Sequence, residues 1–186
     1  ATLDPDSATG WDGTSLIKQG AGTLILNAEN TYTVGTTISG GTLVASNVEA
    51  LGSGDVTDNA TLELNTGGDF DNAISGSGQV VKSGESTLSL SGRLSYTGGT
   101  IISDGTLIAT SVDALGSGDV TNNAELERDG GGGIDNATSG REKVVKSGDE
   151  TLTLSGTNSY TDGTLISGGT LVATNLEALG TGDVTN

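Results

Sequence analysis

The chain has no cysteine and no histidine, and only one proline, one tryptophan and one phenylalanine in 186 residues. Without cysteine there are no disulfides, thiolate metal sites or thiol nucleophiles. Without histidine the commonest general base and the usual zinc ligand are gone. Scarce aromatics leave neither an immunoglobulin-like core nor a stacking platform for bases. Basic residues are few, 7 against 24 acidic, and the net charge of −17 repels nucleic-acid phosphates and anionic membranes. No apolar run is long enough for a membrane-spanning helix. No basic-plus-apolar leader is visible, which reads as a mature chain or an excised fragment. Leu, Ile, Val and Phe total 42, about 23% of the chain, just above the range associated with disorder. Any fold must therefore place its few apolar residues very regularly.

Regularity is what the chain has. Tyr32, Tyr96 and Tyr160 are 64 apart, as are Lys18, Lys82 and Lys146, and Leu51, Leu115 and Leu179. Residues 16–58, 80–122 and 144–186 align without gaps, with 22 of 43 columns identical in all three copies. A fixed internal period points to an array or solenoid. The division is a partial preceding coil at 1–15, full repeats at 16–79 and 80–143, and a partial repeat at 144–186. Within the first repeat, units at 16–35, 36–54 and 55–79 open with "LIKQGAGTLIL", "TTISGGTLVA" and "DVTDNATLEL". Each is a short β-rich run, a turn, then a second run beginning with Thr-Leu.

The first run supplies a column of Ile17, Ile38, Val56, Val81, Ile102, Val120, Val145, Ile166 and Val184. The second supplies Leu3, Leu24, Leu43, Leu62, Leu88, Leu107, Leu126, Leu152 and Leu171, each preceded by threonine except at Glu125. These columns predict an all-β parallel solenoid of about eight coils of 19–25 residues, three coils per 64-residue repeat. Leucines point inward and threonines form an outward ladder, with turns stacked about 4.8 Å apart. A third side is less regular, with Phe70 and Ile134 in matching places. A β-propeller blade is too long for such coils, and no nine-residue calcium-roll period is present. "ATLD" at 1–4 matches "ATLEL" at 60–64 and the last four residues match the start of a coil. The ends therefore read as mid-coil edges, with end-to-end association expected of the isolated fragment.

The elements K-x-G-x-x-T-L-x-L, N-x-Y-T-x-G-T, G-G-T-L and A-L-G-x-G-x-V-T cover most of each copy. They resemble the passenger-associated transport repeats of bacterial autotransporters. The resemblance implies a right-handed parallel β-helix in a passenger exported through an outer-membrane β-barrel to the cell surface. It also implies adhesion, autoaggregation or a stalk role, with a C-terminal β-barrel translocator in the parent protein. Partners would be other passengers, or host-surface or matrix glycans and proteins. The second copy departs from the pattern, since "ELERDGGGG" replaces "TLEL" and Arg128 takes the place of Leu64. Local unwinding or a re-aimed strand is expected there.

Motifs that suggest ligands have simpler readings. Gly40-Gly41 and the "GSG" at 52–54 lack the helix and lysine of a phosphate loop and read as coil corners. Asp55, Asp119 and Asp183 each stand alone at a strand start, without the dense carboxylates a calcium loop needs, and read as solvated surface. Arg93, Arg128, Arg141, Glu142 and Lys143 break the repeat, but no acid is paired with a base in a cleft. No catalytic, cofactor-binding or metal residue is assigned, no cofactor is expected, and the binding residues are unknown. The competing reading is a secreted polysaccharide-acting β-helix enzyme or carbohydrate-binding module. Finally, Ser46–Glu49, Thr110–Asp113 and Thr174–Glu177 have the capping-box pattern. One helical turn is predicted at each, stopped by Gly52, Gly116 and Gly180 in a left-handed conformation, with Leu51 tucked beneath.

Overall fold

A computed structural model describes residues 13–186. Leu3 and the match at 1–4 lie outside the described residues. Every described strand pairing is parallel, and no described residue is helical. The chain winds as a solenoid of about nine turns, one more than the pattern of units suggests.

Three faces run along the rod. The first carries Ser15–Lys18, Gly35–Ile38, Val56–Asp58 and Ile74–Ser75, continues through a single bridge from Ile74 to Leu94, and resumes with Gly132–Ile134, Thr151–Leu154 and Thr170–Ala173. The second holds Thr23–Leu26, Thr42–Ala45, Thr61–Leu64, Gln79–Lys82, Thr100–Ile102, Val120–Asn122 and Thr138–Gly140. The third holds Gly68–Phe70, Thr87–Leu90, Thr106–Ala109, Glu125–Arg128, Val144–Lys146, Thr164–Ile166 and Val184–Thr185. Leu24, Leu43 and Leu62 stack in register and the threonines before them stack outward, as alternation requires. Phe70 and Ile134 are both buried.

The register sets the length of a turn, and it differs from the repeat. Leu16 pairs with Thr36, Thr36 with Val56, and Val56 with Ile74. Turns are thus 18–20 residues long, and a 64-residue copy makes three turns and one additional face. The unit at 55–79 is long because it contains that additional face. Each copy therefore starts one face later. Ser15–Lys18 lies on the first face, Gln79–Lys82 on the second and Val144–Lys146 on the third. The leucines that look like one column in sequence form three short stacks, one on each face.

Two inward assignments are corrected. In Ser15–Lys18 it is Leu16 and Lys18 that are buried, while Ile17 is 61% exposed. In Gln79–Lys82, Val80 and Lys82 point in and Val81 out. Lysine is tolerated inside because its stem packs as hydrocarbon and its ammonium finds acceptors at the corner. The predicted unwinding at Arg128 is also absent. Glu125–Arg128 keeps full register with Thr106–Ala109, and Arg128 is 2% exposed. Ladder bonding on both sides holds the strand even though the residue is wrong for the core.

Candidate functional site: the repeated corner and the buried charges

The phrase "EALGSGDVT", with its counterparts in the later copies, is the most ligand-like feature of the chain, and its residues 49–55 form a corner that leads into the strand Val56–Asp58. No helical turn is present. Asn47 O accepts from the Ala50 N–H at 3.1 Å, and Glu49 O from the Gly52 N–H at 3.2 Å. The Asn47 Oδ1 accepts the Glu49 N–H at 2.8 Å, and Asn175 does the same for Glu177 at 2.9 Å. The local cap is thus one residue later than the capping-box pattern suggests. In the second and third copies the box hydroxyls bond across turns, Thr110 donating to Leu90 O and Thr174 to Leu154 O. Gly52, Gly116 and Gly180 do stop the corner at φ of 62°, 63° and 65°, and Leu51 and Leu115 are fully buried.

Each corner sits on a tyrosine of the turn before. The Ser53, Ser117 and Thr181 N–H groups donate to Tyr32 O, Tyr96 O and Tyr160 O at 3.0–3.1 Å. The phenols lie inside, against Thr36, Thr100 and Thr164 at 3.0, 2.6 and 2.7 Å. Burial raises all three phenol pKa values above the ordinary tyrosine range, opposed by the threonine hydrogen bonds. The following turn covers the corner. Asn72 donates to Gly52 O and Gly54 O at 2.9 and 2.8 Å, and Asn136 to Gly116 O and Gly118 O at 3.1 and 2.7 Å.

Beside the first corner is a cleft of about 200 Å³ lined by Glu49, Ser53, Asp69, Asp71 and Asn72. Its counterpart, about 230 Å³, is lined by Asp113, Ser117, Gly133, Asp135 and Asn136. One of the three acids is not kept, since Gly133 replaces Asp69. Asp71 and Asp135 instead accept from Ser91 and Ser155 of the next turn. Asp55, Asp119 and Asp183 stand exposed, and their main-chain carbonyls receive the Thr36, Thr100 and Thr164 N–H groups. No group of three metal-ligating side chains occurs among the described residues. Arg93, Arg141, Glu142 and Lys143 do not converge with Arg128 on a cleft. The Lys143 ammonium pairs with Glu125, at 3.7 Å.

Apart from Arg128, the charged residues that matter to the interior were not among the sequence candidates. Lys18, Lys82 and Lys146 are buried, with their ammonium groups turned to corner carbonyls. Lys18 Nζ donates to Gln19, Gly20 and Gly40 oxygens at 3.1, 2.9 and 2.7 Å. Lys82 Nζ donates to Ser83, Gly84 and Asp104 oxygens at 2.7, 2.7 and 3.3 Å. Lys146 Nζ donates to Ser147 O and Gly148 O. Burial lowers the Lys82 pKa, while the Asp104 charge opposes it. The signal was available: two-residue alternation from Leu16 puts Lys18 inside.

Asp58 is fully buried. One carboxylate oxygen accepts the Ala60 N–H at 3.0 Å and the other has no partner among the described residues. Burial raises its pKa, with backbone hydrogen bonds opposing. The folded state therefore binds this proton more tightly than the unfolded chain. The stability it contributes is full below the ordinary carboxylate pKa and is lost as pH rises through the raised value. The second copy carries Asn122 here, whose amide donates to Lys143 O at 3.0 Å. Asp58→Asn is accordingly expected to raise the neutral-pH melting temperature by about 2–4 °C. The gain should shrink on acidification toward pH 4. Melting curves of both proteins across that range check this, and a gain that does not depend on pH would refute the assignment.

The passenger-associated-transport-repeat family model matches residues 16–45, 80–109 and 144–173. An adhesin BmaC autotransporter of Brucella suis biovar 1 (strain 1330) is 38% identical over 146 residues, a stretch that is 64% of this chain and 4% of that protein. No solved structure gives a significant match.

Proposed function

We propose that this chain, a segment of an autotransporter passenger built on passenger-associated transport repeats, is a non-enzymatic stalk of a cell-surface adhesive protein. It stands outside the outer membrane after export and holds more distal passenger away from the cell. The reading rests on what is repeated. Most of the columns identical in all copies are interior or corner residues, among them Lys18, Tyr32, Leu43, Leu51, Gly52 and Val56, all buried. What recurs is the scaffold. Equivalent surface positions turn by about a third of a revolution per copy, so they do not line up on one flat face. A partner that recognised one corner would find the next equivalent about 16 Å along and a face away. Multivalent contact along a single side is thereby disfavoured. The −17 charge keeps neighbouring rods apart at low salt.

The test is display of the passenger with residues 16–79 removed. Because residues 16–58 and 80–122 align without gaps and wind turns of equal length, the shortened rod is expected to fold. Everything before the deletion turns by one face relative to everything after it. Cell attachment unchanged at equal surface level supports the stalk. Loss of attachment at equal surface level overturns it in favour of direct contact by this segment.

A further inference from the structure

The second copy changes two core residues together. Leu64 and Ile74 of the first copy are fully buried, and their counterparts are Arg128 and Thr138, also buried. The two substitutions meet, but weakly. Arg128 Nη2 reaches Thr138 Oγ1 at 3.4 Å, and Nη1 has no partner among the described residues. No carboxylate faces the guanidinium from the strands on either side. Its inward register partners are Ala109 in the turn before and Lys146, a second buried cation, in the turn after. Asn122 Oδ1, inward in the same turn, is likewise unpaired among the described residues. Four glycines, Gly130 to Gly133, follow after Asp129.

The apolar interior narrows at this layer, past which the first cluster keeps only Val144 and Tyr160. One cluster runs from Leu16 to Val144 and Tyr160. Ile134, Leu152, Leu154 and Ala178 form another. In the first copy the corresponding Leu64, Ile74, Leu88 and Leu90 all belong to one cluster. A solenoid transmits stability only between adjacent turns, so a poor interface uncouples what lies on either side. Burial of an unpaired charge makes this interface poor.

We infer that the layer of Arg128, Thr138 and Lys146 is a built-in joint, at which the turns beyond it open as a unit while the turns before it stay folded. Strand hydrogen bonds cross the joint, so the rod is continuous in the native state. It separates on local unfolding because side-chain coupling is weak there, carried onward in the first cluster by Val144 and Tyr160 alone.

Hydrogen exchange of the whole chain in increasing denaturant tests the joint. Amides of Val144–Lys146, Thr151–Leu154 and Thr164–Ile166 are expected to exchange together through one opening. Those of Thr42–Ala45, Thr61–Leu64 and Gln79–Lys82 should need a larger one. Arg128→Leu restores the first copy's residue and should slow exchange of the downstream set at least tenfold while leaving the upstream set within about twofold. Arg128→Met, which removes the charge with an unbranched chain, should act in the same direction. Three results would overturn the joint. These are a single opening for both sets, equal slowing of both sets by Arg128→Leu, or downstream protection graded from the chain end and unmoved by either variant.

Discussion

Gly52→Val is expected to destabilise the rod by about 3 kcal/mol or more, a fall of roughly 6–12 °C in melting temperature. Two costs add. The position has φ of 62°, a conformation that a β-branched residue adopts only with strain. An added Cβ would also lie 2.0 Å from Tyr32 O and 3.0 Å from the Tyr32 ring, both held by the turn beneath. The carbonyl cannot retreat, because it accepts the Ser53 N–H. Gly116 and Gly180 meet Tyr96 and Tyr160 in the same way, so Gly116→Val should cost a similar amount. Gly22→Ala is the control, since nothing lies within 4 Å of its added Cβ. If Gly52→Val melted with the Gly22→Ala protein, the corner would not be built as described.

Lys82→Ala is the second large effect, with an expected loss of about 3–5 kcal/mol. The lysine is fully buried, so truncation leaves both a cavity and corner carbonyls without their donor. Lys82→Met separates the two parts. It fills the volume but donates nothing, and should recover part of the loss while leaving about 1–3 kcal/mol. Denaturant unfolding of the three proteins provides the measurement. A methionine variant as stable as the parent would show that the lysine side chain contributes packing alone. Lys18 and Lys146 stand at equivalent corners, so the K-x-G element reads as an inter-turn clamp rather than a surface charge.

Both predictions concern residues the sequence marks plainly, yet only one of the two roles was readable there. Gly52 follows Ala-Leu in every copy, and its left-handed turn is legible from local chemistry. An inward column through Val81 would place Lys82 outside, whereas Val80 and Lys82 are the buried pair. Its acceptors, Ser83, Gly84 and Asp104 oxygens, come from a corner and from the next turn, and no local pattern displays them. Asn72 escaped for the same reason. Its partners, Gly52 O and Gly54 O, are adjacent only after a full turn has been wound. The inward place of Arg128 was foreseen, but its effect was not. The strand stays straight because the backbone ladder is indifferent to the side chain, and the defect falls on the core.

The sequence alone determined that the chain is a parallel β-solenoid. Two-residue alternation, glycine corners and a fixed 64-residue period are local properties that only stacked turns satisfy together. Tertiary structure decided the phase. Corner lengths set each turn at 18–20 residues, and because 64 is not a whole number of such turns, every copy begins one face later. That rotation follows from how many residues each corner uses, a sum over the whole winding that no single window contains. It is also why the repeated residues serve the rod rather than one side of it.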